Sequence, residues 1–163
     1  MKILIVSDNH GRLSDLDSII EKGNFDKIIH CGDSEVDRML LNYNMDIVRG
    51  NSYQDPEYPL IKIINAEGLR ILITHGHLFD VYNGLQNLLY KALHEEVNIV
   101  CFGHTHVPLI LEEEGILFVN PGSISRPRGN SSSSYMVMEI SEKICLKHYN
   151  LVDEELTYYE RSK

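Results

Sequence analysis

Short apolar runs recur along the chain, and most of them end abruptly in polar residues. Ile3-Leu4-Ile5-Val6 is the first, and it stops at Ser7-Asp8-Asn9-His10. A run of this kind predicts a strand over Lys2 to Val6. Leu16, Ile19 and Ile20 then repeat at helical spacing, which predicts a helix over Leu13 to Lys22 with Ser14 as its N-cap. Lys27 to His30 reads as a second strand, Val36 to Leu41 as part of a second helix, and Met45 to Val48 as a third strand. Strands joined by crossovers of this length run parallel. Their carboxyl ends then share one sheet edge, where ligands of open α/β folds bind.

The pattern changes after Pro56 and Pro59. Leu60 to Asn65 and Leu69 to Thr74 flank Ala66-Glu67-Gly68 and predict a hairpin. Leu85, Leu88, Leu89 and Ala92 form one stripe of a helix over Val81 to Leu93, a packing face. Asn98 to Phe102 reads as a strand, and Leu109 to Leu111 with Ile116 to Val119 as a hairpin around a glutamate-rich tip. Tyr135 to Ile140 and Lys143 to His148 form a third hairpin, and the charged, tyrosine-rich tail from Val152 has no assigned role. These elements predict an α/β chain: a four-layer α-β-β-α sandwich of two mixed sheets, one domain over residues 1–163.

The polar residues that end the runs are of metal-ligand type. Asp8-Asn9-His10, His30-Cys31-Gly32-Asp33, Arg49-Gly50-Asn51, Thr74-His75-Gly76-His77 and Gly103-His104-Thr105-His106 each follow a strand-like run. One Asp-x-His is ordinary turn chemistry, whereas five such clusters at strand ends point to a two-metal site. Carboxylate, imidazole and amide donors without thiolate suit Mn²⁺, Fe²⁺, Zn²⁺ or Ni²⁺. Two such ions hold a hydroxide and grip a phosphoryl group from both sides, making a nucleophile at neutral pH without a protein base.

Composition narrows the picture. The 43% hydrophobic and 24% charged residues are those of a globular chain. The formal net charge of -9, without clustered Lys and Arg, excludes a duplex nucleic-acid binder. No apolar stretch reaches membrane-spanning length and Met1-Lys2 leads straight into a strand, so no membrane partner and a cytoplasmic location are expected. Cys31, Cys101 and Cys145 lack CxxC spacing, and Cys31 and Cys101 read as buried small hydrophobes.

Asp8-x-His10, Gly32-Asp33, Gly50-Asn51, His75 and Gly103-His104-x-His106 resemble, in order, the five blocks of the calcineurin-like metallophosphoesterases. Ser7-Asp8-Asn9-His10-Gly11, Thr74 to His77 and Asn120-Pro121-Gly122-Ser123 resemble the small YfcE-type phosphodiesterases, over about Met1 to Tyr149. The resemblance implies the same four-layer fold. It further implies that Asp8, His10, Asp33 and His106 hold one metal and that Asp33, Asn51, His75 and His104 hold the other. In many members a His follows the Gly-Asn pair and is thought to protonate the leaving oxygen, but here Ser52-Tyr53 follow, as small YfcE-type members also lack that His. His77 is the replacement candidate, with a supporting or purely structural role the rival, and Asn51 and His77 are the candidate catalytic residues. His30 is expected to support the sheet beside the site, His94 and His148 to serve surface or packing roles, and Arg126 and Arg128 to be phosphate contacts or solvated loop residues.

The expected function is hydrolysis of a small phosphate ester, a diester, with two divalent ions, Mn²⁺ first among them and Ni²⁺, Zn²⁺ or Fe²⁺ as alternatives. A monoesterase on the same site is the nearest alternative. A non-catalytic scaffold resembling the retromer subunit of this fold is the other, and retention of all the expected ligands argues against it. An exposed apolar helix face or edge strand would allow a homo-oligomer.

Overall fold

A computed structural model describes residues 1–41 and 43–163. Two mixed sheets pack face to face. The first has six strands in the order β11-β10-β9-β1-β2-β3, and the second has five in the order β4-β5-β6-β8-β7. In the first, β1 (Lys2–Val6) pairs in parallel with β2 (Lys27–His30), which pairs in parallel with β3 (Asp46–Ile47). On its other side β1 pairs antiparallel with β9 (Ser134–Ile140), followed by β10 (Lys143–Asn150) and β11 (Glu155–Ser162). In the second sheet the hairpin β4 (Ile61–Ala66) and β5 (Leu69–Thr74) leads to β6 (Ile99–Cys101). Beyond it comes the hairpin of β7 (Leu109–Glu113) and β8 (Ile116–Asn120).

Side-chain alternation builds the layers. Ile3 and Ile5 of β1 face the core between the sheets, while Leu4 and Val6 face the outer core beneath helix α1 (Leu13–Lys22). Ile71 and Ile73, Ile99 and Cys101, and Leu117 and Val119 point inward in the same way. Leu72, Val100 and Phe118 point out to helix α2 (Gln86–His94), which buries Leu88, Leu89 and Ala92 against them. Three apolar cores separated by two sheets make the predicted four-layer α-β-β-α sandwich. No helix among the described residues is long and apolar enough to cross a membrane.

Several local expectations are corrected. Val36 to Leu41 is a run of turns, because the Asp37 carboxylate takes the Met39 N–H at 2.8 Å and thereby competes with helical bonding. Ser14 lies inside α1, whose N-cap is Arg12 without a side-chain cap bond. The helix read over Val81 to Leu93 begins only at Gln86, after Gly84 at φ 127°, and His77–Phe79 forms a separate 3₁₀ turn. The tail, to which the sequence assigned no role, forms β11 at the edge of the first sheet. Tyr159 Oη donates to Glu112 Oε2 at 2.7 Å, and Arg161 Nη1 lies 3.0 Å from Glu112 Oε1, joining β11 to the β7–β8 hairpin of the other sheet.

Candidate metal centre

The carboxyl ends of β1, β2, β3, β5 and β6 meet at one edge of the two sheets, and each is followed by one of the polar clusters. The loops lock to one another there: Asp8 N–H donates to Gly32 O at 3.0 Å, His10 N–H to Asp33 O at 3.1 Å, and Gly103 N–H to His75 O at 3.0 Å. Six residues of these loops occupy the left-handed region, Asp8, His10, Asp33, Glu35, His104 and His106, with φ between 43° and 68°. Such backbone is unfavourable for L side chains and persists where the surroundings over-determine it. It turns each side chain back over the strand ends. Two glycines permit the crowding. A Cβ on Gly103 would sit 2.7 Å from Asp8 Oδ2, and one on Gly50 would sit 2.7 Å from Asp33 Cγ.

Asp8 is fully buried at the centre. Its Oδ2 accepts from Ser7 Oγ at 2.5 Å and from the His104 N–H at 3.2 Å. Its Oδ1 has no hydrogen-bond donor among the described residues. Three imidazole Nε2 atoms face that oxygen, from His106 at 3.1 Å, His10 at 3.8 Å and His75 at 3.9 Å. The opposite nitrogen of each ring is spoken for. His106 Nδ1 donates to Arg126 O at 2.6 Å, His75 Nδ1 donates to Cys31 O at 2.8 Å, and His10 Nδ1 lies 2.7 Å from Glu35 Oε1. A neutral ring with Nδ1 as donor presents a bare lone pair at Nε2. Lone pairs of imidazole and carboxylate therefore point at one another, with His10 and His106 Nε2 only 3.4 Å apart. That arrangement repels itself unless a cation or a proton sits among the donors.

The donors form two groups, Asp8 with His10 and His106, and Asp8 with Asp33 and His75, each with ligand atoms within 4.8 Å of one another. His75 Nε2 lies 3.5 Å from Asp33 Oδ2 and 3.1 Å from Asn51 Oδ1, and His104 Nδ1 lies 3.3 Å from His75 Nε2. The structure thus gathers Asp8, His10, Asp33, Asn51, His75, His104 and His106 around one point. Asp8 belongs to both tight groups, where the resemblance gave that sharing to Asp33. The donor set fits divalent ions of the borderline and hard kind.

His77 stands apart. Its ring centroid is 5.5 Å from that of His75 and 6.1 Å from that of His104, its buried Nδ1 has no partner among the described residues, and it does not line the cleft beside the other histidines. His30 takes the supporting place expected of it: Nε2 donates to Asn9 Oδ1 at 2.8 Å, and Nδ1 accepts the Gly32 N–H at 3.1 Å. His148, on β10, is buried and His94 is exposed. Cys31 and Cys101 are buried and free, with burial raising both thiols, Cys101 to about 12.

Electrostatics follow the geometry. Burial pushes the Asp8 carboxyl up, but the facing His106 and His75 outweigh it and hold it below the usual value. Asp33 is lowered the same way, chiefly through His75. Burial and the neighbouring His75 bring His104 down to about 4, and burial, aided by His75 and partly offset by Asp55 and Asp8, brings His30 to about 4.

Three residues at the site carried no signal in the sequence. Asp55 is a buried carboxylate that accepts the backbone N–H groups of Asp33, Ser34, Glu35 and Gly50 and the Ser34 hydroxyl. Glu35 holds His10. Tyr82 sets its ring edge against His104, centroids 4.8 Å apart, donates to His104 O at 2.9 Å and accepts from Arg128 Nη1. With Tyr53, Arg126 and Arg128, Glu35 and Tyr82 wall a cleft of about 400 Å³ open to the candidate ligands His10, Asp33, Asn51, His104 and His106.

A family model described as the calcineurin-like phosphoesterase superfamily domain matches residues 1–143. The chain belongs to that superfamily. Within it, the chain is 32% identical over 160 residues to YsnB of Bacillus subtilis, named as a probable metallophosphoesterase, covering 96% of this chain and 95% of that one. It is 35% identical to phosphodiesterase YfcE of Escherichia coli over 107 residues, 66% of this chain and 48% of YfcE. A crystal structure of a protein from Streptococcus pneumoniae, described as a predicted phosphoesterase, superposes with a TM-score of 0.91 at 33% identity, covering 99% and 97% of the two chains. Vacuolar Protein Sorting 29 from Cryptosporidium parvum shares the fold, with a TM-score of 0.83 at 22% identity over 99% and 98% of the chains.

Proposed function

We propose that this phosphoesterase-family chain is a binuclear, metal-dependent phosphodiesterase acting on a small phosphate ester. The observation that carries the reading is the convergence of three bare Nε2 lone pairs and the Asp33 carboxylate on the Asp8 carboxylate, whose buried Oδ1 has no donor among the described residues. Asp8, His10, Asp33 and His106 would hold one ion, and Asp33, Asn51, His75 and His104 the other, with Asp8 near both. Divalent ions there, Mn²⁺ first among them, would neutralise phosphoryl oxygens and lower the pKa of water from about 15.7 towards 7.

The chain's own residues do the rest. Tyr82 fixes His104, and neutral His30 fixes Asn9. Arg126 and Arg128 face the cleft, where a guanidinium can take a phosphoryl oxygen. Arg126 already faces Glu35 at 3.9 Å, which offsets its charge and favours a singly charged diester over a dianionic monoester. A scaffold role is disfavoured by the same donors: buried groups with unsatisfied lone pairs are costly to keep for docking alone.

The test is hydrolysis of bis-p-nitrophenyl phosphate by chelator-stripped protein before and after Mn²⁺ is added. Turnover restored by metal and lost at least about 100-fold in His106→Ala is the expected result, a second-order effect being far smaller than removal of a ligand. Absence of turnover with Mn²⁺, Ni²⁺, Zn²⁺ and Fe²⁺, despite stoichiometric binding, would refute the diesterase reading.

A further inference from the structure

Glu35 joins parts of the centre that the sequence keeps far apart. Its Oε1 lies 2.7 Å from His10 Nδ1, and its Oε2 lies 3.9 Å from Arg126 Nη2. Arg126 in turn offers its backbone carbonyl to His106 Nδ1 at 2.6 Å, and His106 Nε2 returns to within 3.4 Å of His10 Nε2. The result is a closed ring, His10–Glu35–Arg126–His106, around one of the two donor groups.

The anchors of the histidines differ in kind. His75 and His106 donate to neutral peptide carbonyls, whereas His10 is held by a carboxylate. The pair is shielded from water, with the His10 and Glu35 side chains 6% and 13% exposed. A carboxylate behind an imidazole fixes its tautomer and orientation and makes it a stronger donor at the opposite nitrogen. Glutamate has no intrinsic preference for the left-handed backbone that Glu35 adopts at φ 50°. That conformation is held from outside, by the Glu35 N–H donating to Asp55 Oδ1 at 3.1 Å.

We propose that Glu35 is a positioning residue of the metal centre: it holds His10 with Nδ1 protonated and Nε2 aimed at Asp8 and His106, and through Arg126 it steadies the segment that anchors His106. The inference rests on the metal-centre reading but not on the diesterase one. Losing the Glu35 carboxylate loosens two ligands of the same donor group and leaves His75, held by Cys31 O, untouched.

The experiment is calorimetric titration of the chelator-stripped full chain with Mn²⁺, for the wild type, Glu35→Ala and Glu35→Gln. One of the two ions is expected to bind about 10- to 100-fold more weakly in Glu35→Ala, with the other unchanged and partial recovery in Glu35→Gln, whose amide oxygen still accepts from Nδ1. A merely structural role would lower the melting temperature and leave the affinities alone. Affinities of Glu35→Ala within about twofold of wild type would overturn the proposal.

Should Glu35→Ala not fold, imidazole nitrogen NMR of the Zn²⁺-loaded wild type decides. A proton on His10 Nδ1 supports the proposal, and one on Nε2 overturns it. A wild type that binds no divalent ion overturns this inference and the metal centre together. Intact binding without turnover refutes the diesterase reading alone.

Discussion

Asp55→Asn removes one charge from a buried carboxylate while preserving its shape, and the structure sets the size of the effect. Oδ2 of Asp55 accepts the Gly50 N–H at 2.5 Å and the Asp33 N–H at 3.2 Å. Oδ1 accepts the Ser34 N–H at 2.7 Å, the Ser34 hydroxyl at 2.8 Å and the Glu35 N–H at 3.1 Å. An amide has one acceptor oxygen, so whichever way it turns, its NH₂ faces backbone N–H donors. With Oδ1 kept as the acceptor, two bonds to a charged group are lost, each contributing about 1.5–3 kcal/mol. The expected destabilisation is about 3–6 kcal/mol, a large share of the roughly 5–15 kcal/mol that typically holds a domain together.

For a chain of this size that corresponds to a melting temperature about 6–24 °C lower. The same carboxylate ties the loop of Asp33 to the loop of Asn51, ligands expected of the second ion. Mn²⁺ affinity should therefore fall about 10- to 100-fold at temperatures where the variant is folded. Circular-dichroism melting with and without Mn²⁺, together with metal titration, measures both. A melting temperature within about 2 °C of wild type and unchanged Mn²⁺ affinity would refute the clamp.

Other perturbations address separate links. Fully buried His30 is brought from 6.5 to about 4 by burial, so the folded chain keeps it neutral where the unfolded chain is protonated. Unfolding then takes up a proton between those values, and stability is lost as pH falls from about 6.5 towards 4, by at most about 3 kcal/mol. Denaturant titrations across that range should show a shallower slope in His30→Gln, and an identical slope would end the argument. Gly103→Ala places a Cβ against Ser7 Oγ and Asp8 Oδ2. Mn²⁺-dependent turnover should drop at least about 10-fold through misplaced Asp8, and full activity would contradict the crowding. His77→Ala should slow esters of poor leaving groups more than nitrophenyl esters if His77 donates the proton. Equal losses on both would leave it a structural residue behind His75 and His104.

Unbroken apolar runs in β1, β5, β6 and β8 mark strands buried on both faces, but which alternate set meets the other sheet and which meets the helices was decided only by packing. The expected ligands were legible for a related reason. Each directly follows an apolar run, and parallel strands bring their carboxyl ends to one edge however the loops are drawn. Local pattern failed where a side chain intervened, as when Asp37 captured the Met39 N–H and left turns where a helix over Val36 to Leu41 was expected. It also gave no role to the tail, whose strand β11 is fixed by pairing with β10 and by Glu112 of the other sheet.

The layers and the candidate ligand set were therefore legible in the chain alone, since the first follow from the order of strands and helices and the second from the residues that terminate each strand. Only the tertiary structure decided how those ligands are held. Asp55, Glu35, Tyr82 and Arg126 act through contacts with residues distant in the chain, His10 and Glu35 being 25 positions apart and Tyr82 and Arg128 46. A carboxylate in a loop reads as solvated until the fold closes backbone donors around it. No spacing rule records that closure, because it depends on where two separate loops come to rest.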